Sequence, residues 1–530
     1  MKKKTTIPLN EIRFFRKLIH DFTDLDSKLK PFLKSFVHLD SIQANLNLKK
    51  KHRAILSNVI KEQYDETIFV NSDMSILDNN ISKLANNNVY TVTTGHQLNL
   101  CVSPLFLIYK ITSVIAYANY LNNAIKDSYF VPCFWMASED HDFDEIKSLH
   151  LDGKSYHWNM NNQDAVGNLS SKSITHILEQ IKDLLMMSNH GKELFDIYNY
   201  AYTNNSNYAN ATRSVLMSLF GDYGLVVVDG NHRKLKELFY PYLKAEVEEN
   251  YVYKTVLQTN QLLKANYQPE INAMKTNIFY LYNNIRSKIH FDQNKYFTHD
   301  HDKCWSKSEL LDEILSFPER FSPNVFLRTL YQEVVMPNLL YIGGPSEVAY
   351  WLQLKNMFET LGVEYPLLAL RSHFLILSSR ISNIMSTLNL ADDDLFLTSH
   401  DQIKNILNHQ SLIGLDDNYF IIHDQFMKMK NKISSIKGFP MQSFYVFEKR
   451  FQNELSRFRS KVLKFEKTKN PDIITQINFI HDSLFPHDLP QEKVKSFIPY
   501  YIKYGKDFFD LLIQESPIFE NKYTILTEEA

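Results

Sequence analysis

Few cysteines, few glycines and no long apolar run mark this sequence of 530 residues. Its three cysteines, Cys101, Cys133 and Cys304, are too few for a disulfide framework, so a reducing compartment is expected. No stretch has the uninterrupted apolar length of a membrane span. Residues 1–4, M-K-K-K, look like the basic start of a signal peptide, but the polar residues after them leave no apolar region. We therefore expect a cytoplasmic protein without a membrane anchor.

The sequence also lacks an excess of either charge. Its 58 lysines and arginines nearly balance its 60 aspartates and glutamates, and the formal net charge is -2. Such a balance provides no general attraction to nucleic acid or to an acidic membrane surface. With 44% hydrophobic and 22% charged residues, the composition is typical of a soluble globular protein. At this length two or three domains are expected.

A repeated succession of strand, turn and helix predicts an α/β core. The β-branched run 89–94 ends at Gly95, and a helix with an apolar face follows Ser103 and Pro104. The apolar strand 131–136 comes next, so we expect a right-handed βαβ unit. Further strands that end at a glycine or a charge are predicted at 224–229, 339–342 and 366–370. The repetition predicts a Rossmann-like, doubly wound parallel sheet, although the dinucleotide fingerprint and the P-loop sequence are both missing.

The rest of the chain is predicted to be mainly helical. After Arg371 an aromatic heptad pattern from Phe444 to Phe465 predicts a coiled-coil arm, paired with the stretch from Phe420 to Ile436. This arm is rich in lysine and arginine, which indicates either a solvated face or a secondary nucleotide contact. The predicted divisions are helices on the core at 1–88, the core at 89–372 with connecting segments at about 152–210 and about 255–315, the arm at 373–470, and docking helices at 471–530.

Packed acids follow the second predicted strand. After Trp135 comes the run Glu139, Asp140, His141 and Asp142, at the end of a parallel strand where ligands bind. Acids this close repel each other unless a cation, an ammonium group or a basic side chain lies among them. The alternative interpretation is a solvated acidic loop. Because the acids adjoin a buried strand, we favour a functional site.

Five clusters should converge on one cleft at the carboxyl edge of the sheet. They are Gly95-His96-Gln97, Glu139-Asp140-His141-Asp142, Asn324 with Arg328, Gly343-Gly344-Pro345-Ser346-Glu347, and Arg371. No Ser-His-Asp order and no zinc-ligand spacing stands out. The acids suit a cation or an amine, and the basic side chains suit phosphate or carboxylate. Formation of an amide or ester by carboxylate activation would use both the acidic and the basic side chains.

Several of these motifs carry a family resemblance. The matching stretches are T-T-G-H-Q, S-P-L-F-L-I-Y-K, P-C-F-W-M-A-S-E-D-H-D-F-D-E-I, S-P-N-V-F-L-R and Y-I-G-G-P-S-E-V-A-Y-W. In them the chain resembles the cysteine-adding enzymes of bacillithiol biosynthesis, the cysteine ligases, over nearly its whole length. The resemblance implies a Rossmann-like core, a coiled-coil arm used for homodimerisation, and a cytoplasmic ligase. The implied reaction joins the carboxyl of L-cysteine to the amine of glucosaminyl malate.

We assign roles to these residues as hypotheses. Condensing a carboxylate with an amine in water needs activation, so ATP is expected, with AMP or ADP as its product, although no ATP motif is present. We assign Gly95, His96 and the helix start at Ser103 to phosphate or leaving-group stabilisation. Lys110, further along the same helix, is a weaker candidate for that contact. Asp140 and Asp142 would hold the ammonium of cysteine or a Mg²⁺ ion, and His141 is the candidate base.

The remaining assignments concern the substrates. Asn324, Arg328 and Arg371 suit the malate carboxylates, and the other candidate substrate contacts are Gln97, Trp135, Glu139, Gly343, Gly344, Glu347 and Tyr350. Three of the candidate residues also have a structural interpretation as the alternative: Trp135 and Tyr350 would belong to the core, and His96 would cap a turn. A site for preactivated cysteine is one alternative function. A metal-dependent hydrolase built on Asp140, His141 and Asp142, and a non-catalytic coiled-coil scaffold, are the others.

Overall fold

The computed structural model describes residues 1–46, 52–70, 74–160, 164–300, 302–410 and 415–529. The chain divides into two units. The first, which we call the sheet unit, contains Met1–Leu375 and Glu492–Leu526, and the second, the helical unit, contains Ile376–Gln491 and the last residues from Thr527. The segment 471–530, predicted as one group of docking helices, is therefore divided between the two units. The predicted helical segment 1–88 belongs to the sheet unit.

Five parallel strands form the main sheet of the sheet unit. They are β1 (Val89–His96), β2 (Tyr129–Met136), β3 (Val226–Asp229), β4 (Asn338–Gly343) and β5 (Leu367–Leu370). The strand order is β5-β4-β1-β2-β3, which is the order of a Rossmann-type sheet. The strands are buried almost throughout, as expected when helices cover both faces of a parallel sheet. The predicted Rossmann-like sheet is confirmed.

Three helices flank the strands that end near Gly95 and Gly343. Helix α1 (Leu105–Ala124) connects β1 to β2, α2 (Val325–Val335) precedes β4, and α3 (Pro345–Trp351) follows β4. Of the 20 residues of α1, most are buried, which explains why its sequence is apolar on nearly every side. Helix α1 therefore crosses the sheet as a core helix and carries Lys110 inside the protein.

The connecting segments add small antiparallel sheets and further helices. Two three-stranded antiparallel sheets lie in this part of the chain: Ile278–Tyr282 with Ile285–Lys288 and Phe321–Pro323, and His290–Asp292 with Lys295–Phe297 and Cys304–Trp305. The other strands are Lys2–Pro8, Ser148–Leu151, Lys154–His157, His373–Leu377 and Lys522–Thr527. The other helices outside the helical unit are Lys17–Thr23, Leu39–Ala44, Arg53–Asp65, Ser75–Lys83, Phe143–Ile146, Thr175–Leu185, Asn189–Asn204, Tyr208–Phe220, Arg233–Glu249, Tyr251–Leu263, Lys307–Ser316, Lys355–Thr360, Ile498–Tyr504 and Asp507–Gln514.

The helical unit contains a long helical hairpin. The helices of this unit are Ser379–Leu388, Ser399–Gln410, Leu415–Ser434, Met441–Lys469 and Pro471–Leu484, and the short helix Gln491–Val494 lies where the chain passes from one unit to the other. Leu415–Ser434 and Met441–Lys469 are the two long helices of the hairpin. Phe426 of the first long helix packs on Phe444, Phe447 and Phe451 of the second, with ring centroids 4.8 to 6.4 Å apart. The predicted pairing of these two segments is confirmed. In the described parts of the chain, no helix is both long and apolar enough to cross a membrane.

Candidate active site

The candidate site lies where the strand order of the main sheet reverses. Strands β1 and β4 are neighbours although they are far apart in the sequence, and Thr93 stands opposite Tyr341 in their register. The next residues of the two strands therefore bring Gly95 and Gly343 to the same carboxyl edge. Ligands of open parallel sheets bind in the crevice at such a switch point.

Gly95 leaves room for a guanidinium group at this edge. A Cβ atom placed there would lie 3.2 Å from the carbonyl oxygen of Trp135 and 3.4 Å from an Nη atom of Arg328. The turn therefore allows Arg328, from helix α2, to approach the end of β1 closely. A larger residue at this position would crowd both groups, which explains a glycine here.

Arg328 is held by neutral groups. One of its Nη atoms donates to the hydroxyl of Tyr350 at 3.0 Å, and the other donates to the side-chain oxygen of Gln332 at 3.4 Å. Among the residues that the structure describes, no carboxylate lies within 4 Å of this guanidinium group. A buried or half-buried arginine without a carboxylate is a natural site for an anionic ligand.

Lys110, in contrast, is saturated by partners from the protein. Its buried ammonium donates to Glu347 at 2.6 Å and to the carbonyl of Gly95 at 2.9 Å, and it lies 3.3 Å from Nδ1 of His96. Three acceptors use all three of its protons. Burial lowers the pKa of Lys110, and the charge of Glu347 opposes that shift. The other oxygen of Glu347 accepts from the amide of Gly344 at 2.7 Å, so Lys110 and Glu347 connect the ends of β1 and β4.

His96 is a neutral imidazole at this site. Burial, together with the charges of Lys110 and Arg328, holds the pKa of His96 well below its usual range. Its ring packs edge-to-face on Phe106, with the centroids 4.9 Å apart. The predicted residues Gly95, His96, Lys110 and Glu347 are thus brought together.

Arg371 also lies at this edge, but it is neutralised. Its two Nη atoms donate to the Glu492 carboxylate at 2.5 and 3.2 Å, and both side chains are buried. Although burial favours the neutral acid, the charges of Arg371 and His373 lower the pKa of Glu492 to about 2. This guanidinium already has an internal carboxylate, and its predicted role in binding a malate carboxylate stays a prediction.

The acidic turn after β2 forms a second cluster. Asp140 accepts from the side-chain amide of Gln97 at 2.7 Å and from the backbone amide of His141 at 2.8 Å. The Arg286 guanidinium lies 3.7 Å from its carboxylate. Burial acts to raise the pKa of Asp140, but the contacts with His141, Gln97 and Arg286 outweigh it and hold this pKa below its usual range. Asp140 is thus an ionised acceptor, and Asp142 lies exposed beside it.

Arg286 contacts His141 directly. It donates to Nδ1 of His141 at 2.7 Å, while its other nitrogens donate to the Ser322 hydroxyl at 2.8 Å and the Pro323 carbonyl at 3.1 Å. Its guanidinium lies 3.8 Å from the ring centre of Phe279. Three strands of a small antiparallel sheet therefore fix one arginine against the acidic turn.

Three further predicted residues have structural partners. Glu139 pairs with the buried Lys236 at 2.6 Å, and Trp135 is buried against Tyr331. The Asn324 side chain caps helix α2 by accepting from two backbone amides and donates to Asn277 at 2.8 Å. These contacts give Glu139, Trp135 and Asn324 partners inside the protein, and their assignment to substrate stays a prediction.

Two backbone groups at the start of helix α1 have partners inside the protein, and the role given to Ser103 stays a prediction. The helix begins after Pro104, not after Ser103, and proline has no N–H to offer an anion. The amide of Leu105 donates to the Lys495 carbonyl at 3.0 Å, and the Ser103 carbonyl accepts from the Phe497 amide at 3.0 Å. Residues 495–497 therefore bond the Leu105 amide, one of the groups that a phosphate at this helix start would use.

Sequence reasoning missed Arg286, Glu492 and Lys236. Arg286 and Lys236 contact acids about 100 or more residues away in the sequence, and Glu492 lies 121 residues from Arg371. No local spacing rule connects such residues. The only sequence signal was the crowd of acids itself, which requires nearby cations. In the parts of the chain that the structure describes, no three His, Cys, Asp or Glu side chains are grouped so as to hold a metal ion.

Two family models match the chain in succession. Residues 2–372 match "Bacillithiol biosynthesis BshC, N-terminal Rossmann-like domain", and residues 374–528 match "Bacillithiol biosynthesis BshC, C-terminal coiled-coil domain". The second match agrees with the helical hairpin and with the predicted coiled-coil arm.

Individual relatives are similar over almost the same span. A protein of Flavobacterium johnsoniae named "Putative cysteine ligase BshC" is 33% identical over 97% of this chain and 98% of its own length. Its namesake in Christiangramia forsetii is 33% identical over 98% of each chain. The namesake in Bacillus thuringiensis is 28% identical over 84% of this chain and 86% of its own.

Proposed function

This chain belongs to the bacillithiol biosynthesis BshC family, and from that premise we propose that it joins the carboxyl of L-cysteine to the amine of glucosaminyl malate, forming bacillithiol. The relatives' shared name supports a ligase that acts on cysteine. The formation of an amide from a carboxylate is unfavourable in water, so the proposal includes activation of the cysteine carboxyl by ATP.

The observation that carries the proposal is the free guanidinium of Arg328 at the switch point. In the described part of the chain its side-chain hydrogen-bond partners, Tyr350 and Gln332, are both neutral. Lys110, Arg371 and Arg286 each have an acid within 4 Å. A carboxylate of cysteine or malate, or a phosphate oxygen, would complete the charge balance of Arg328.

The acidic turn supports the other half of the proposal. Asp140 is held ionised by Gln97 and by backbone amides, and Asp142 adds an exposed carboxylate next to it. This pair provides negative charge for the α-ammonium of cysteine or for a Mg²⁺ ion that accompanies the nucleotide. An anion site at Arg328 and a cation site at Asp140 on one sheet edge suit an amino acid as substrate.

The nucleotide would have to share this anion site. The protons of Lys110 are all used, and the amide of Gly344 is bonded to Glu347. The backbone at the start of α1 is covered. We therefore propose that Arg328, rather than the Ser103 helix start, contacts the activated carboxyl or its leaving phosphate. In that role it would stabilise charge that develops during the reaction.

Purified protein supplied with L-cysteine, glucosaminyl malate and ATP tests the proposal. We expect bacillithiol in the mass spectrum and one nucleotide product: AMP for an acyl adenylate, ADP for an acyl phosphate. Arg328→Gln should lower kcat/KM by about a hundredfold, the effect of losing one donor to developing charge. Arg320→Gln is the matched control, because Arg320 has partners of its own, an ion pair with Glu313 and the ring of Phe317.

The outcomes separate the alternatives. Product without consumption of ATP would contradict activation by the nucleotide and support a preactivated cysteine. Equal activity of the Arg328 and Arg320 variants would contradict the anion site. No bacillithiol from the unaltered protein, in the presence of Mg²⁺, would contradict the ligase proposal itself.

We also propose that the chain forms a homodimer through its helical hairpin. Phe447, Phe458 and Phe465 on the second long helix are each about half exposed, at 49%, 56% and 58%. Exposed aromatic rings at helical spacing favour burial against another helix. Light scattering should give twice the chain mass of 62.3 kDa. A monomeric mass at micromolar concentration would contradict this proposal.

A further inference from the structure

The hydrogen bond between Arg286 and His141 determines what His141 can do. The guanidinium nitrogen and Nδ1 of His141 are 2.7 Å apart. Arginine remains protonated in proteins and can only donate, so Nδ1 must accept. The Asp140 carboxylate is the competing partner, but it lies 3.5 Å from the same nitrogen, beyond an ordinary hydrogen bond. The geometry therefore favours the neutral tautomer with its hydrogen on Nε2.

Several contacts hold the Arg286 side chain in place. Its side chain is buried, lies on the Phe279 ring, and donates to Ser322 and Pro323 in addition to His141. His141 is exposed, so its Nε2 side has access to a ligand while its Nδ1 side is held by the protein. The contact at Nδ1 therefore orients the His141 ring, and Nε2 remains available to a ligand.

The same arrangement occurs at His96. Its Nδ1 faces the Lys110 ammonium at 3.3 Å, and Lys110 already donates to Glu347 and to the Gly95 carbonyl. His96 is therefore also expected to carry its hydrogen on Nε2. The two histidines flank the hydrogen bond between Gln97 and Asp140, each with a cation on Nδ1. A histidine that keeps its hydrogen on the open nitrogen is a donor and cannot accept a proton there.

We propose that His141 acts in the ligase reaction as a hydrogen-bond donor through Nε2, not as a general base, and that Arg286 is the positioning residue that imposes this tautomer. The inference rests on the proposed function. As the amine nitrogen bonds to the activated cysteine carbon, the carbonyl π electrons move to oxygen, which accepts the hydrogen bond from His141. The carbonyl re-forms when the bond to the phosphate-bearing group breaks, and the amine proton leaves with that phosphate. No proton moves to or from the imidazole.

This role replaces the base suggested by the sequence. An acid-base assignment would require Nε2 to lose its hydrogen and Nδ1 to gain one, which would break the contact with Arg286. A donor aimed at a developing negative charge requires no such rearrangement. The sequence showed an imidazole among acids, whereas Arg286 became its neighbour only on folding.

Nitrogen NMR of the full chain, labelled with ¹⁵N at histidine, tests the tautomer directly. The His141 signals are identified by their loss in His141→Leu. We expect Nδ1 without hydrogen and Nε2 with hydrogen in the unaltered protein. Arg286→Met, which keeps the apolar stem over Phe279, should convert this to a tautomer mixture, and the control Arg320→Met should not. A protonated Nδ1 in the unaltered protein, or no change in Arg286→Met, would overturn the proposal.

Kinetics of three variants separate a donor from a base. Glutamine can donate a hydrogen bond but cannot act as a base, so His141→Gln should retain activity within about tenfold of the unaltered protein. His141→Leu should lose about a hundredfold in kcat, and Arg286→Met about tenfold. Equal losses in the glutamine and leucine variants would overturn the donor role. If the unaltered protein makes no bacillithiol, the proposed function fails, whereas the NMR result still decides the tautomer.

Discussion

Charged residues are common both at the sheet edge and on the helical hairpin, but they behave differently in the two regions. At the sheet edge, Arg371 and Glu492 form a pair with 4% and 3% of their side chains exposed. On the hairpin, Arg457 and Glu454 are just as close, and 74% and 68% of their side chains are exposed. The same two residue types are therefore desolvated in one region and hydrated in the other.

The difference explains where the chemistry is expected. Water screens the hairpin pair, so it adds little free energy and changes no ligand affinity nearby. Inside the sheet unit an unbalanced charge is costly, and Arg371 pairs with Glu492 and Lys110 with Glu347. Arg328 has only neutral hydrogen-bond partners among the described residues, and we propose that a ligand supplies its counter-charge. The many lysines of the hairpin stand out in the sequence, yet the buried cations carry the electrostatics of the site.

The largest expected effect comes from breaking the buried pair. Glu492→Gln leaves the Arg371 charge buried without its counter-charge and should lower the free energy of unfolding of the sheet unit by about 3–5 kcal/mol. All four tryptophans, Trp135, Trp158, Trp305 and Trp351, lie in this unit, so denaturation followed by tryptophan fluorescence reports on it alone. A loss below about 1 kcal/mol would contradict the contrast with the hairpin.

Acid should weaken the same pair. The pKa of Glu492 is about 2 in the folded protein and near 4.5 when unfolded. A carboxyl whose pKa is lowered by folding stabilises the protein above the unfolded pKa, and that stability is lost as the pH falls from about 4.5 to about 2. The loss should reach about 3 kcal/mol and be missing in Glu492→Gln. If the free energy of unfolding depended on pH in the same way in the unaltered protein and in Glu492→Gln, the prediction would be refuted.

A smaller effect is expected at Lys110. Lys110→Met removes the counter-charge of Glu347, which keeps its bond to the Gly344 amide and some contact with water. We expect a loss of about 2 kcal/mol in the free energy of unfolding. Because the Lys110 charge contributes to lowering the pKa of His96, that pKa should rise in the variant. NMR titration of His96 measures it, and an unchanged pKa would show that the Lys110 charge does not contribute.

The smallest effect should come from the hairpin. Glu454→Gln is the same chemical change as Glu492→Gln, made at an exposed pair. It should change the free energy of unfolding of the helical unit, measured by circular dichroism, by less than about 0.5 kcal/mol. A cost above 1 kcal/mol would show that the hairpin pair is buried in the assembled protein, as a homodimer interface at that point would require.

Much of the fold could be predicted because it is encoded locally. Buried strands such as 131–136 are apolar without interruption, and the turn at Gly95 and the hinge near Gly438 interrupt periodic segments. The division of residues 471–530 was less predictable, since an amphipathic helix shows that one face is buried but not which unit covers it. Residues 492–526 return to the sheet unit, where Glu492 reaches Arg371.

The candidate site was predictable as a place but not as a set of contacts. Parallel strands end on one edge, so Gly95, His141 and Gly343 were expected near each other. Which cation pairs with which acid could not be predicted, because a charged residue in the sequence does not indicate which residue about 100 positions away will lie next to it. Thus Arg371 was assigned to a malate carboxylate and Lys110 was only a weaker candidate for a phosphate contact, whereas in the structure Arg371 pairs with Glu492 and Lys110 pairs with Glu347.

The sequence by itself determined the sheet, the helical hairpin and the edge where polar residues collect, because apolar periodicity and turn residues act over a few positions. It also carried the family resemblance in its motifs. Only the tertiary structure decided which charges are neutralised: Glu492 reaches Arg371, Lys236 reaches Glu139, and Arg286 reaches His141. Electrostatic energies depend on distance and burial, and both arise only when distant segments meet.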